Sequence, residues 1–135
     1  MIRGGLRTNW FKASLLAIGV VALLATAHHQ EQERNHRSMV ECRSLGEKIE
    51  KEINPPNSPL PQHPENPEYY YNPRLKRCFY CGGHTEFIIK VKTMFLIDAY
   101  TNKEVASYSI NYPISSPSEF KAETSFNMIK RELYR

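Results

Sequence analysis

At 135 residues, with 41% hydrophobic side chains, three cysteines and a formal charge of +4, the chain has room for one small domain and a targeting segment, which excludes a large enzyme or a multidomain receptor. The positive charge is local: Arg3, Arg7 and Lys12 precede an apolar run, and without these three the chain carries 15 basic against 14 acidic side chains. That near-neutral remainder offers no electrostatic footprint for nucleic acid, so no nucleic-acid partner is expected.

Met1 to Lys12 contains no acidic residue, and Ala13 to Ala27 is a run of 15 residues without a charge, followed at once by polar His28-His29-Gln30-Glu31. Residues 1–27 therefore read as an export signal or a membrane anchor, the chain's link to a membrane. Ala25-Thr26-Ala27 supplies small residues at the −3 and −1 positions of a cut before His28, which fits the signal. Counted from Trp10, the same stretch extends about 27 Å as a helix at ~1.5 Å per residue, short of a ~30 Å hydrocarbon core yet usable as an anchor. Both readings keep the basic residues cytoplasmic and place everything after Ala27 across the membrane, in a periplasm. A core helix of a soluble protein fits worse, because the run has no polar face.

Residues 28–53 read as an amphipathic helix. No proline interrupts Glu31 to Ile53, and Met39, Cys42, Leu45, Ile49 and Ile53 recur at spacings of three or four along one face. Gly46 counts against it, since a glycine inside a helix costs ~1 kcal/mol relative to alanine. Residues 54–73 hold seven of the nine prolines and read as a Pro-rich linker in extended or polyproline geometry. Pro56 with Pro59 and Pro61 with Pro64 have the PxxP spacing, but a spacer is the simpler reading.

Residues 74–135 read as a small α+β domain. The expected sheet is a three-stranded antiparallel meander: Leu75 to Cys81, joined through Gly82-Gly83 to Phe87–Ile97, then Val105 to Tyr112. In the second strand the odd positions Phe87, Ile89, Val91, Thr93, Phe95 and Ile97 form the expected core face; in the third, Ala106, Tyr108, Ile110 and Tyr112 do. Ala99 to Glu104 is the hairpin connection, with Asn102 best suited to a positive φ. Ser116-Pro117-Ser118-Glu119 carries a serine N-cap, a first-turn proline and a capping-box glutamate, which predicts a helix to Leu133. Ala122, Phe126, Ile129 and Leu133 form the stripe that covers the sheet.

Cys78-Phe79-Tyr80-Cys81 admits several chemistries. A thioredoxin-like pair needs its first thiol at a helix N-terminus, whereas Phe79 and Tyr80 favour strand and would point the two thiols to opposite faces. Haem attachment needs His directly after the second cysteine, where Gly82 stands. Cys78, Cys81 and His84 have the spacing of half a zinc site, which Cys42 or His63 would complete. An exported chain meets oxidising conditions, and there the plainer reading is a disulfide from Cys42 to Cys78 or Cys81, with Cys78 the first choice. Closing such a loop of roughly 37 residues contributes about 3–4 kcal/mol in the chain-entropy model.

No catalytic residue and no cofactor are expected. GxSxG, HExxH, GxxxxGK[ST] and GxGxxG are all absent, Asp98 is the only aspartate, and Cys81 with His84 lacks an orienting third group. The best surface-binding candidate is Tyr69, Tyr70 and Tyr71 with Arg74, Lys76 and Arg77, which could stack sugars or hold an acidic headgroup. The competing assignment packs the tyrosines under the sheet and leaves the cations solvated.

The stretch Tyr71-Asn72-Pro73-Arg74-Leu75-Lys76-Arg77-Cys78-Phe79, followed by Asp98-Ala99-Tyr100-Thr101-Asn102-Lys103-Glu104-Val105-Ala106, resembles uncharacterised small exported bacterial proteins. In these an aromatic-Asn-x-x-Leu-x-x-Cys segment leads into a strand and a later Asp-Ala hairpin. The resemblance implies an envelope protein in which Cys42 pairs with Cys78, leaving Cys81 as an extra thiol, and it implies no activity. The expected role is non-catalytic binding or assembly with an envelope protein or cell-wall partner. The alternative is a metal-binding or thiol redox protein using Cys78, Cys81 and His84.

Overall fold

The computed structural model describes residues 5–58 and 62–135. Arg3, and Pro59 and Pro61 of the two PxxP pairs, lie outside the described residues. The chain divides into two compact units, Met1–Arg37 and Ser38–Arg135. Helix α1 (Gly5–Ile53) runs through the boundary between them, so the expected hydrophobic and amphipathic helices are one element. The reason is local: no proline falls within it, and i,i+4 pairs such as His29 with Glu33 (3.5 Å) and Arg43 with Glu47 (3.2 Å) line its polar part. It stops where Asn54 meets Pro55 and Pro56, which cannot donate to the helical ladder.

In the first unit the apolar run has no protein cover. Leu16, Ile18, Val21, Leu23 and Leu24 are all at least 65% exposed, all round the helix. A helix apolar all round needs cover from protein or from lipid. It is long and apolar enough to cross a membrane, a test that a signal sequence near an N-terminus also passes.

The second unit is α+β. Among the described residues five antiparallel strands follow α1: β1 (Gln62–Pro64), β2 (Glu68–Asn72), β3 (Arg77–Glu86), β4 (Val91–Asp98) and β5 (Lys103–Asn111), then helix α2 (Pro117–Leu133). The expected three strands are β3, β4 and β5. The other two come from the Pro-rich segment, where β1 pairs with residues 84–86 of β3 and β2 with residues 77–81, end to end along one edge. Prolines are tolerated there because an edge strand needs only one side of its ladder. Gly82 and Gly83 do not join two strands; they lie inside β3, opposite Phe95 and Met94.

Both faces of the sheet are covered, one by the last turns of α1 and the other by α2. Cys42, Leu45, Ile49 and Ile53 of α1 pack with Tyr69, Tyr71, Cys78, Tyr80, Ile97 and Ala99. Phe126 and Leu133 of α2 pack with Phe79, Cys81, Met94, Leu96, Ala106 and Tyr108. The expected single core face of the second strand is therefore corrected. Leu96, an even position, is fully buried under α2, while Ile97, an odd one, packs toward α1. Phe87 and Ile89 leave the strand altogether, and Tyr112 is 52% exposed beyond the end of β5. Met39 is exposed too, so the α1 stripe begins at Cys42.

The C-terminal helix follows its sequence closely. Ser116 Oγ accepts from the Glu119 amide at 3.3 Å, Pro117 is the first helical residue, and the Glu119 carboxylate accepts from the Ser116 amide at 3.0 Å. Phe126 is its one buried residue; Ile129 of the expected stripe is 39% exposed.

Candidate functional site

Strand β3 alternates, and that alternation separates the cysteine chemistry. Cys78 faces α1, where its sulfur lies 2.07 Å from that of Cys42, at disulfide distance. Cys81 faces α2 as a buried free thiol. Burial raises its pKa, with Glu68 adding to the rise and Lys130 opposing it, which is the reverse of an activated nucleophile. His84 lies farther along the strand beside Phe95 (ring centroids 6.4 Å) and Glu86 (3.4 Å). The structure thus does not bring Cys78, Cys81 and His84 together, and no group of three metal-ligating side chains occurs among the described residues. His63, the other candidate fourth ligand, stands edge-on to Phe87.

The face under α1 also holds a polar pair. Tyr80 is fully buried and its hydroxyl donates to the Glu50 carboxylate, which accepts from Asn54 Nδ2 as well at 2.7 Å. Burial and the Glu50 contact both push the Tyr80 phenol far above its ordinary pKa, so it stays a donor. Two glycines make room on this face. A Cβ on Gly46 would collide with the Tyr69 ring, and one on Gly82 with the Tyr80 phenol. That contact explains why α1 keeps a glycine in its interior.

The Tyr-rich, basic segment is split by the same alternation. Tyr71 is buried and Tyr69 half-buried against α1, while Tyr70 stacks on Tyr134 beyond α2 at 4.5 Å. The three rings are packing groups, and none forms an exposed stacking platform. Arg74, Lys76 and Arg77 instead sit in and just after the β2–β3 turn. Asn72 builds that turn: its Oδ1 accepts from the amides of Arg74 (2.9 Å) and Leu75 (3.0 Å), and its Nδ2 donates to the Leu133 carbonyl (2.6 Å). Arg77 reaches the buried Asp98 carboxylate at 2.6 Å, and Asp98 in turn accepts from the Tyr100 amide at 3.1 Å. Asp98 is therefore a brace between two hairpins. Arg74 and Lys76 are left exposed, with half-exposed Leu75 between them.

A second exposed feature was not legible as a site. Phe87-Ile88-Ile89-Lys90 forms the β3–β4 turn, with Lys90 at φ 53° and Phe87, Ile88 and Ile89 exposed by 58%, 72% and 59%. The Tyr112 amide donates to the Lys90 carbonyl at 2.6 Å, which sets exposed Tyr112 beside this tip. Three consecutive large apolar residues at a turn are costly to leave in water. The available signal was the run itself, because no half-buried strand needs Phe, Ile and Ile in a row.

Comparisons of the chain with protein-family models, with curated proteins and with solved structures find no match.

Proposed function

We propose that the chain is one of the small exported bacterial proteins it resembles, held at or delivered across the inner membrane by α1, and that it binds an envelope partner without catalysis. The observation that carries this reading is the exposed apolar tip Phe87-Ile88-Ile89 with Tyr112, presented by a sheet that is otherwise covered on both faces. The uncovered apolar helix and a cysteine pair at disulfide distance both fit an exported chain in an oxidising compartment.

The test is site-specific photocrosslinking of the full chain in living bacteria. A photoreactive residue at Ile88 gives one discrete adduct, which Ile89→Ser in the same chain removes while an otherwise equal probe at Lys121 gives none. Equal adducts from both positions, or none from Ile88, defeat the reading.

A further inference from the structure

One end of the second unit gathers four things: the N-terminal side of its helix at Ser38, the β2–β3 turn, the β4–β5 turn and the C-terminal end of α2. Ser38 lies beside Tyr100, Arg77 bridges the two turns through Asp98, and Asn72 ties the β2–β3 turn to Leu133. The β2–β3 turn, Pro73-Arg74-Leu75-Lys76-Arg77, contains no acidic residue. Neither Arg74 nor Lys76 has a carboxylate within 4.0 Å among the described residues, and Leu75 between them is 50% exposed. Beside Leu133 lies an open recess of about 450 Å³ lined by Asn127, Lys130, Arg131, Tyr134 and Arg135. Lys130 is engaged by Glu68 at 2.5 Å, so Arg131 and Arg135 are its unpaired cations among the described residues. The acidic groups at this end are Glu41, Glu104 and Glu132, all exposed, Glu68, which holds Lys130, and Asp98, which Arg77 neutralises.

We infer that this end binds a bilayer surface through anionic phospholipid headgroups, with Arg74, Lys76, Arg131 and Arg135 holding phosphates and Leu75 seated at headgroup level. The inference rests on the proposed membrane association and adds the partner of one end of the folded unit. Covalent reach makes the occupant specific: ten residues, 28–37, separate the apolar run from Ser38, at most ~36 Å even if fully extended. A surface held that close meets the membrane at high effective concentration, so individually weak contacts suffice. An apolar side chain flanked by cations is also the composition of an interfacial segment, in which burial of the apolar group adds to attraction by anionic lipid.

The experiment uses the full chain reconstituted in vesicles of phosphatidylcholine alone or mixed with phosphatidylglycerol. A nitroxide is placed at Leu75→Cys or, separately, at Ile88→Cys; buried Cys81 is controlled by labelling the unsubstituted chain. In mixed vesicles the label at 75 becomes accessible to dissolved oxygen and at least tenfold less accessible to an aqueous nickel chelate. In phosphatidylcholine it stays aqueous, and high salt reverses the shift. Arg74→Glu with Lys76→Glu abolishes the shift, whereas Arg74→Lys with Lys76→Arg retains it. A label at 75 that stays aqueous in both vesicles overturns the inference and leaves the Ile88 crosslink untouched. A label at 88 that enters lipid while 75 stays aqueous also overturns it, and identifies the apolar tip as the lipid-facing element.

Discussion

The two faces of the sheet are built from the same strand by different means. Toward α1, β3 offers Cys78 and Tyr80, joined respectively to Cys42 and to Glu50. Toward α2 it offers Phe79 and Cys81, which have only Phe126, Leu96 and their apolar neighbours to hold them. One face is fixed by a covalent link and a buried polar pair, the other by an apolar centre with polar ties at its margin, Asn72 to the Leu133 carbonyl and Glu68 to Lys130. The comparison teaches that a cysteine spacing shared with redox and zinc sites can divide between two layers, each thiol taking the chemistry of its own side.

The sharpest way to break the comparison is Phe126→Ala, which removes the one buried residue of α2 and lowers stability by about 3–5 kcal/mol. Urea unfolding would show it, and a loss under 1 kcal/mol would mean that α2 contributes little to its face. Next comes Cys42→Ser in the oxidised protein. With the linked cysteines 36 positions apart, it lowers stability by about 3–4 kcal/mol, and that loss disappears when both proteins are compared after reduction. A deficit that persists in reductant would assign the effect to packing, erasing the distinction between the faces.

The smallest effect sharpens the α2 side. Ser116→Ala costs about 1 kcal/mol through the lost N-cap. Its partner Glu119 accepts from the amides of Ser115 and Asn111, which lower its pKa from 4.5 to about 2. A depressed folded-state pKa stabilises the fold above the unfolded value and withdraws that stabilisation as pH falls through the folded one. The stability gap between the protein and Glu119→Gln is therefore open at neutral pH and closes between about 4.5 and 2. A gap that stays constant with pH would show that the carboxylate charge is not what the cap uses.

What was legible in the sequence was local. The cap at Ser116, the positive φ at Asn102 (51°) and the Cys42, Leu45, Ile49 and Ile53 stripe each depend on residues within a few positions of one another. Strands β1 and β2 were not legible, because their pairing with β3 is set by distant partners such as Gln62 with Glu86 while proline content argued for a spacer. The other two hairpins turn at Lys76 and Lys90, both left-handed at φ 51° and 53°, and lysine carries no signature for that conformation. Period-two alternation gives the two faces of a strand without saying whether both are covered, so a second layer under α1 could not be read from β4 alone. Of the candidate site, the cations of the β2–β3 turn were found, the tyrosines proved to be core, and the Phe87 tip was hidden inside an expected strand.

The two glycines under tyrosine rings extend the argument to related sequences. Gly46 belongs with Tyr69 and Gly82 with Tyr80, each glycine vacant because its ring fills the space. Selection on such a pair acts on the sum of two volumes. Where homologues replace either tyrosine by a small residue, the matching glycine becomes free to change, and where the tyrosine stays, it does not. Coupled substitution at 46 with 69, and at 82 with 80, is thus the evolutionary trace this fold should leave.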